Sequence, residues 1–374
     1  MRKKMLAVFL AASMALSVLS GCSGDTSTSS GGSASGSTSG SGSGDEDTKT
    51  IGMVVKNTTT EYIQAFMIGA QEKCDEYGID LQIVDGQADS LRIMDAIDTF
   101  IVQGIDGFIL AGAEDLVTLV PGIEKLNEEG IPVFAVDTCP EGGHVDMFIT
   151  NDIEDSTAKA ATQMMEGIAE AHGGEVPEGV IIEITGALVD MYTTQCHDAF
   201  SEVMADYPQV TVVQGEGNWN NDDSYARASD LLTRYGDEVL GIYVHTPDIM
   251  GSGVVAAVEA AGLDPADYFI SGICIGAEGM ELLKQGKLYA VVEQPALDMI
   301  QMCIEYMNMM FNGEEIPQVG DVIEEEGALW SPATVIENEF ADSGATMILQ
   351  SPLVPQECPV DDPRLYENLL EEMS

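Results

Sequence analysis

The stretch "GIPVFAVDTCPEGG" (Gly130–Gly143) reads as a buried strand that ends on a carboxylate. Its apolar run, Ile131–Val136, stops at Asp137 and Thr138, and Cys139, Pro140 and two glycines then turn the chain. A continuous apolar run marks a strand covered on both faces, whereas a half-solvated strand alternates. Open parallel sheets receive ligands at the carboxyl ends of their strands. If the neighbouring strands run parallel, Asp137 stands at a ligand-binding edge.

The flanking sequence predicts such a sheet. Upstream, strands over 51–55, 79–84 and 105–112 alternate with helices over 61–77, 90–103 and 116–129. In the first helix Ile63, Phe66, Met67 and Ala70 recur at helical spacing. Downstream, helices over 154–171, 192–206, 222–235, 250–262, 277–285 and 296–311 alternate with strands over 179–184, 209–214, 239–245, 268–273 and 288–293. Beyond about 315 the sequence is irregular and contains prolines. Strand–helix alternation with short connections implies an α/β protein with parallel sheets covered on both faces. About ten strands exceed one comfortable sheet, so two Rossmann-like lobes of one architecture are expected.

The chain carries 14 Lys+Arg against 64 Asp+Glu, a formal charge of −50. Such a surface repels nucleic acid and anionic lipid, which makes both poor partners. Arg2, Lys3 and Lys4 precede an apolar run, Met5–Leu19, and then "LSGC" (Leu19–Cys22). A basic region, a short apolar core and small residues before a cleavage point make an export signal over 1–21. The run is short for a membrane-spanning helix. Residues 22–49, nearly all Ser, Gly, Thr and acid, are expected to form a disordered tether. The remaining cysteines, Cys74, Cys139, Cys196, Cys274, Cys303 and Cys358, form no CxxC pair and predict neither an essential bridge nor a metal site.

A search for chemistry finds no HExxH, no phosphate-binding P-loop and no GxSxG in the folded region, so neither an enzyme nor a cofactor is predicted. His144, His172, His197 and His245 lack metal-ligand spacing, and His197 is placed on a helix facing solvent. "NWNNDDS" (Asn218–Ser224) is oxygen-rich but lacks the Gly and terminal Glu of an EF-hand. It is read as an Asn- or Asp-capped helix start.

Taken in order, these features resemble the substrate-binding lipoproteins of ABC importers, and more closely the ribose-binding group with the type I periplasmic-binding-protein fold. The resemblance spans about 50–325. It rests on "IGMVVKNTTTEYIQAFMIGAQEKCDEYG" (51–78), "VQGIDGFILAGAE" (102–114), "IPVFAVDT" (131–138), "TNDIEDSTAKAA" (150–161) and "GEEIP" (313–317). "LSGC" resembles a lipobox, which implies that Cys22 carries a lipid anchor on the outer face of the membrane. The resemblance implies three crossings between the lobes. Residues 50–152 with 294–322 would form the first, and 153–293 with 323–374 the second. It further implies a ligand enclosed between them by hinge closure, and a monomer partnered by a permease and an ATPase.

The same resemblance assigns candidate ligand residues. Tyr62 and Trp219 match aromatics that stack on a sugar ring, Asp137 a carboxylate for ligand hydroxyls, and Gln294 a late strand-end amide. The departures are informative. Thr138 stands where such sugar binders usually place an Arg, Cys196 beside Gln195 where a second Arg is expected, "HTPD" (His245–Asp248) in place of Asn-Asp, and Cys274 in place of an Asp. Missing guanidinium forks argue against ribose itself and against an acidic sugar. Lys56, Asp137, Gln195 and Pro247–Asp248 are similar to the pattern of receptors for the furanosyl signal autoinducer-2, although Thr194 departs from it. A monosaccharide or sugar alcohol is the expected ligand. Autoinducer-2 or a similar small polyol, a sensory role, and an amine or amino-acid ligand stand as alternatives.

Overall fold

The computed structural model describes residues 48–113 and 116–373, with the side chains of 371–373 set aside. The export signal, Cys22 and all but the last two residues of the tether lie outside the described residues.

The first lobe opens with β1 (Thr50–Val55), α1 (Glu61–Tyr77), β2 (Asp80–Asp85), α2 (Ser90–Gln103), β3 (Gly107–Ala111), α3 (Leu116–Glu128), β4 (Val133–Val136) and β5 (His144–Asn151). The second runs through α4 (Ile153–Ala171), β6 (Gly179–Thr185), α5 (Met191–Met204), β7 (Val210–Glu216), α6 (Asn221–Tyr235), β8 (Val239–Val244), α7 (Pro247–Ala260), β9 (Ser271–Ile273), α8 (Ala277–Lys284) and β10 (Ala290–Val292). Then come α9 (Ala296–Phe311), the short strands β11 (Val322–Ile323), β12 (Ala333–Glu337), β13 (Ser343–Leu349) and β14 (Leu353–Val354), and α10 (Tyr366–Met373).

Two sheets result. One has the order β11-β12-β13-β5-β4-β3-β1-β2, the other β14-β10-β9-β8-β6-β7. The strands are parallel except in the β11–β12 and β12–β13 pairs of the first sheet and the β10–β14 pair of the second. Successive residues of the central strands enter opposite cores. Met53, Ile109 and Phe134 pack with Phe66, Leu297 and Ile300 of α1 and α9. Val54, Leu110 and Ala135 pack with Ile97, Phe100 and Leu119 of α2 and α3. That two-sided burial is why these strands read as unbroken apolar runs. Helices α1 and α9 cross closely at Gly69, where a Cβ would stand 2.8 Å from Leu297 Cδ1.

The chain passes between lobes after β5, after β10 and after β13. The last crossing differs from expectation. Residues 323–374 were assigned to the second lobe, yet β12 and β13 extend the first sheet and only β14 joins the second. The cause is a β-hairpin at 333–349 whose inner residues Ala333, Val335, Ala345 and Met347 complete the core beneath α9. Strand β5 was also missed by the sequence reading. It pairs with β4 and β13 and carries the chain to the first crossing. The six described cysteines are buried free thiols.

Candidate ligand cleft between the lobes

Asp137 closes β4 with φ +71°, a left-handed conformation that short polar side chains tolerate better than most residues. Its N–H donates to Ile149 O at 3.2 Å, and the Thr138 N–H donates back to Val136 O at 2.9 Å. The turn leaves the carboxylate facing α1, where the Tyr62 hydroxyl donates to Asp137 Oδ1 at 3.0 Å. Burial pushes the Asp137 carboxyl up to about 6, against the downward pull of that hydrogen bond and of Lys56. Burial and the Asp137 charge push the Tyr62 phenol well above its ordinary value, so it stays a neutral donor. Thr138 has a bracing role that the sequence reading did not foresee. Its hydroxyl accepts the Ala113 N–H at 2.8 Å and so ties the end of β4 to the loop after β3.

The opposite wall comes from the second lobe. Asn218 and Trp219 take consecutive left-handed conformations, φ +51° and +56°, between β7 and α6. Such strain persists where surrounding contacts over-determine it. Asn220 caps α6, accepting the Asp223 N–H at 2.8 Å. The Trp219 indole lies directly over Gly186, where a Cβ would fall 1.9 Å from the ring. Tyr192 meets it edge-on, with centroids 5.8 Å apart. Trp219 Nε1 is buried without a hydrogen-bond partner.

Asp248 occupies the first turn of α7, behind Pro247. Its residue surface is half-buried, but the cleft walls keep the carboxyl from bulk water. Burial pushes it up to about 7, while the Ile249 N–H and the neighbouring Cys274 and Thr246 pull the other way. Thr246 Oγ1 and Asp248 Oδ1 are both buried without a well-formed hydrogen bond. At the hinge, Gln294 is 2% exposed. It donates to Asn151 Oδ1 at 3.2 Å and Tyr192 Oη at 3.1 Å, joining the first two crossings to α5.

The structure brings Lys56, Tyr62, Asp137, Thr138, Trp219, Asp248 and Gln294 to one cavity of about 410 Å³ between the lobes. Gln195 differs. It lines two adjoining cavities that share Asp137 and Thr138 with the central one. Asp190, Tyr192 and Thr246 also line the central cavity and were missed as site residues, while Cys274, read as standing in place of a site Asp, lines it too. Cys139 lines an adjoining cavity, whereas Cys196 is core. Tyr192 stands one helical turn before Gln195, a spacing that would have nominated it. Thr246 carries no local signal, because its position depends on β8 ending at the cleft.

One contact spans the cleft rim. Glu61 Oε2, in the first turn of α1, accepts the Ala277 N–H at 2.7 Å. Helix α8 has no side-chain cap of its own at Gly276, so a carboxylate from the other lobe caps it. That hydrogen bond bridges the two lobes across the rim.

Behind the cleft, a second polar cluster corrects the reading of His197. Its ring does not simply face solvent: Nδ1 lies 3.0 Å from Glu183 Oε1. The fully buried Glu183 also takes His245 Nε2 at 2.9 Å and Gln214 Nε2 at 3.0 Å. Burial pushes the Glu183 carboxyl up, but His245, Gln214 and His197 together outweigh it and hold it below its usual value. Among the described residues, no group of three or more His, Cys, Asp or Glu is arranged to hold a metal.

The cleft's chemistry is that of a binding site. It offers aromatic faces, hydrogen-bonding groups and closure, in a volume suited to one small polar molecule. Comparisons with known proteins agree. The chain is 22% identical over 249 residues to the ribose import binding protein of Bacillus subtilis (strain 168), covering 66% of this chain and 77% of that protein. A solute-binding protein from Bacillus halodurans C-125, solved with myo-inositol, matches with a TM-score of 0.68 at 20% identity, over 86% of this chain and 99% of that one. The fructose-binding periplasmic domain of a hybrid two-component system matches with a TM-score of 0.67 at 17% identity, over 87% of this chain and 96% of that one. At these identities the solved structures establish the fold, the two-lobed periplasmic-binding-protein architecture. Residues 51–315 match the model of the periplasmic binding protein domain. The chain belongs to the periplasmic binding protein domain family.

Proposed function

We propose that this chain is the extracytoplasmic solute-binding component of an ABC importer, held at the outer face of the membrane through a lipid on Cys22. It captures a monosaccharide or sugar alcohol between its lobes, closes by hinge motion, and delivers the ligand to a permease driven by an ATPase. It performs no chemistry on the ligand. The observation that carries this reading is the cavity walled by both lobes, with Tyr62 and Asp137 on one side and Trp219 and Asp248 on the other. Only the closed state contacts a ligand from both sides, so ligand and closure stabilise each other. The relatives' sugar and inositol ligands support the ligand class.

A thermal-shift screen tests it, because a ligand that binds only the native state raises the melting temperature. Monosaccharides, sugar alcohols and inositols form the panel. Autoinducer-2 joins them because Lys56, Asp137 and Asp248 line one cavity. Amino acids and simple amines complete the panel, and a response confined to them would overturn the reading. A sensory role is the second reading, favoured by the match to a periplasmic domain of a two-component system. Ligand uptake that persists after deletion of this chain, with loss of a ligand-dependent transcriptional response, would select that role.

A further inference from the structure

The cleft's own donors are largely engaged within the protein. Tyr62 donates to Asp137, and the Gln294 amide donates to Asn151 and Tyr192. Asn218 Nδ2 donates to Asp223 Oδ2. The acceptors are not matched in the same way. Three carboxyl groups, Asp137, Asp190 and Asp248, line the cavity against one amine, that of Lys56, among the described residues. Asp248 Oδ1 and the hydroxyl of Thr246, only 7% exposed, are buried without a well-formed hydrogen bond, and both residues line the same cavity. A buried acceptor left unmatched costs free energy, so a bound ligand must bring donors. A hydroxyl brings one donor with two acceptor lone pairs, whereas an ammonium brings three donors and no acceptor.

Resting on the binding role proposed above, we propose that the ligand is a small hydroxylated ring carrying a protonated amine, an amino sugar or aminocyclitol in chemical class. Its ammonium sits against Asp248 Oδ1 and Thr246 Oγ1. Its hydroxyls serve the groups that an amine alone would leave unmatched: the Asp137 carboxylate, and the Trp219 indole N–H, which needs an acceptor. Burial raises both the Asp137 and Asp248 carboxyls, and an ammonium bound beside them would favour their charged forms.

Calorimetric titration of the protein with matched pairs decides the matter: D-glucose against D-glucosamine, D-galactose against D-galactosamine, myo-inositol against an inosamine, with putrescine as an amine lacking hydroxyls. The expected result is that the amine member of at least one pair binds about tenfold or more tightly than its neutral partner, since charge-assisted hydrogen bonds are about twice as strong as neutral ones. Asp248→Asn is expected to erase that preference, the amine member losing about tenfold more affinity than its neutral partner, with the melting temperature confirming a folded variant. Neutral members binding as well as, or better than, their amine partners would overturn this inference and leave the proposed function standing. Putrescine alone binding would overturn both, and no member of any pair binding would overturn this inference.

Discussion

The Tyr62 hydroxyl donates to Asp137 Oδ1 at 3.0 Å, so the first turn of α1 and the end of β4 present one joined surface to the cleft. The bond holds the carboxylate in place and partly offsets the cost of burying it. Asp137→Ala is expected to weaken ligand binding by more than about tenfold, because the lost acceptor is charged. Tyr62→Phe keeps the ring and should lose less. Titration calorimetry ranks the two, and an Asp137→Ala protein of unchanged affinity would remove Asp137 from the site.

Trp219 is held by the absence of a side chain at Gly186. Gly186→Ala places a methyl group inside the indole's volume, and overpacking of that kind forces the ring to shift. Two results are expected: altered Trp219 emission on ligand addition in the parent protein, and a displaced emission maximum with weaker binding in the variant. A variant with parental emission and affinity would show that the ring position does not matter to the ligand.

The Glu61–Ala277 contact bridges the cleft rim by capping α8 from the opposite lobe. Glu61→Ala should favour the open state and weaken ligand affinity about twofold to thirtyfold, the range of a lost helix cap. Small-angle scattering of the ligand-free variant should show a larger radius of gyration than the parent. Identical scattering curves and affinities would deny the contact any part in closure.

Several buried carboxyls predict an inverted pH dependence. Burial pushes Asp137 and Asp298 up to about 6 and Asp248 up to about 7, from an ordinary value of 3.8. Glu293 and Glu367 are also pushed well above the usual range by burial, and neither oxygen of Glu367 has a partner. The folded state therefore binds protons more tightly than the unfolded chain, and stability falls as pH rises from about 4 through about 7. Glu183, held low, acts oppositely. Its contribution is present above about 4.5 and is lost as pH falls through its folded value. The melting temperature should be higher near pH 5.5 than near pH 8. Glu367→Gln, which removes one such group, should raise it at pH 8 and flatten the slope. A melting temperature lowered at pH 8 by that change would show that Glu367 is stabilising as a carboxylate.

Much of the scaffold was legible because its determinants are local. Val54 and Met53 are adjacent in sequence and buried in different cores, so β1 had to read as a strand covered on both faces. Strand β5 escaped because Asp146 interrupts its apolar run. Its carboxylate accepts the Val133 N–H at 2.9 Å, a partner that no local pattern reveals. The hairpin β12–β13 escaped for a related reason. Ile336 is exposed although apolar, which blurs the alternation that would announce a half-buried strand.

The sequence by itself determined the α/β alternation, the covered parallel strands and the carboxylate at the end of β4, since each follows from residues adjacent along the chain. Only the tertiary structure decided what faces Asp137. Tyr62, Trp219, Asp248 and Gln294 come from four separate strand–helix units, and their assembly depends on strand order and on how the lobes meet. The same holds for the balance of donors and acceptors in the cleft. Whether Gln294 offers its amide to a ligand or to Asn151 and Tyr192 is a matter of geometry between distant segments, which one-dimensional spacing does not encode.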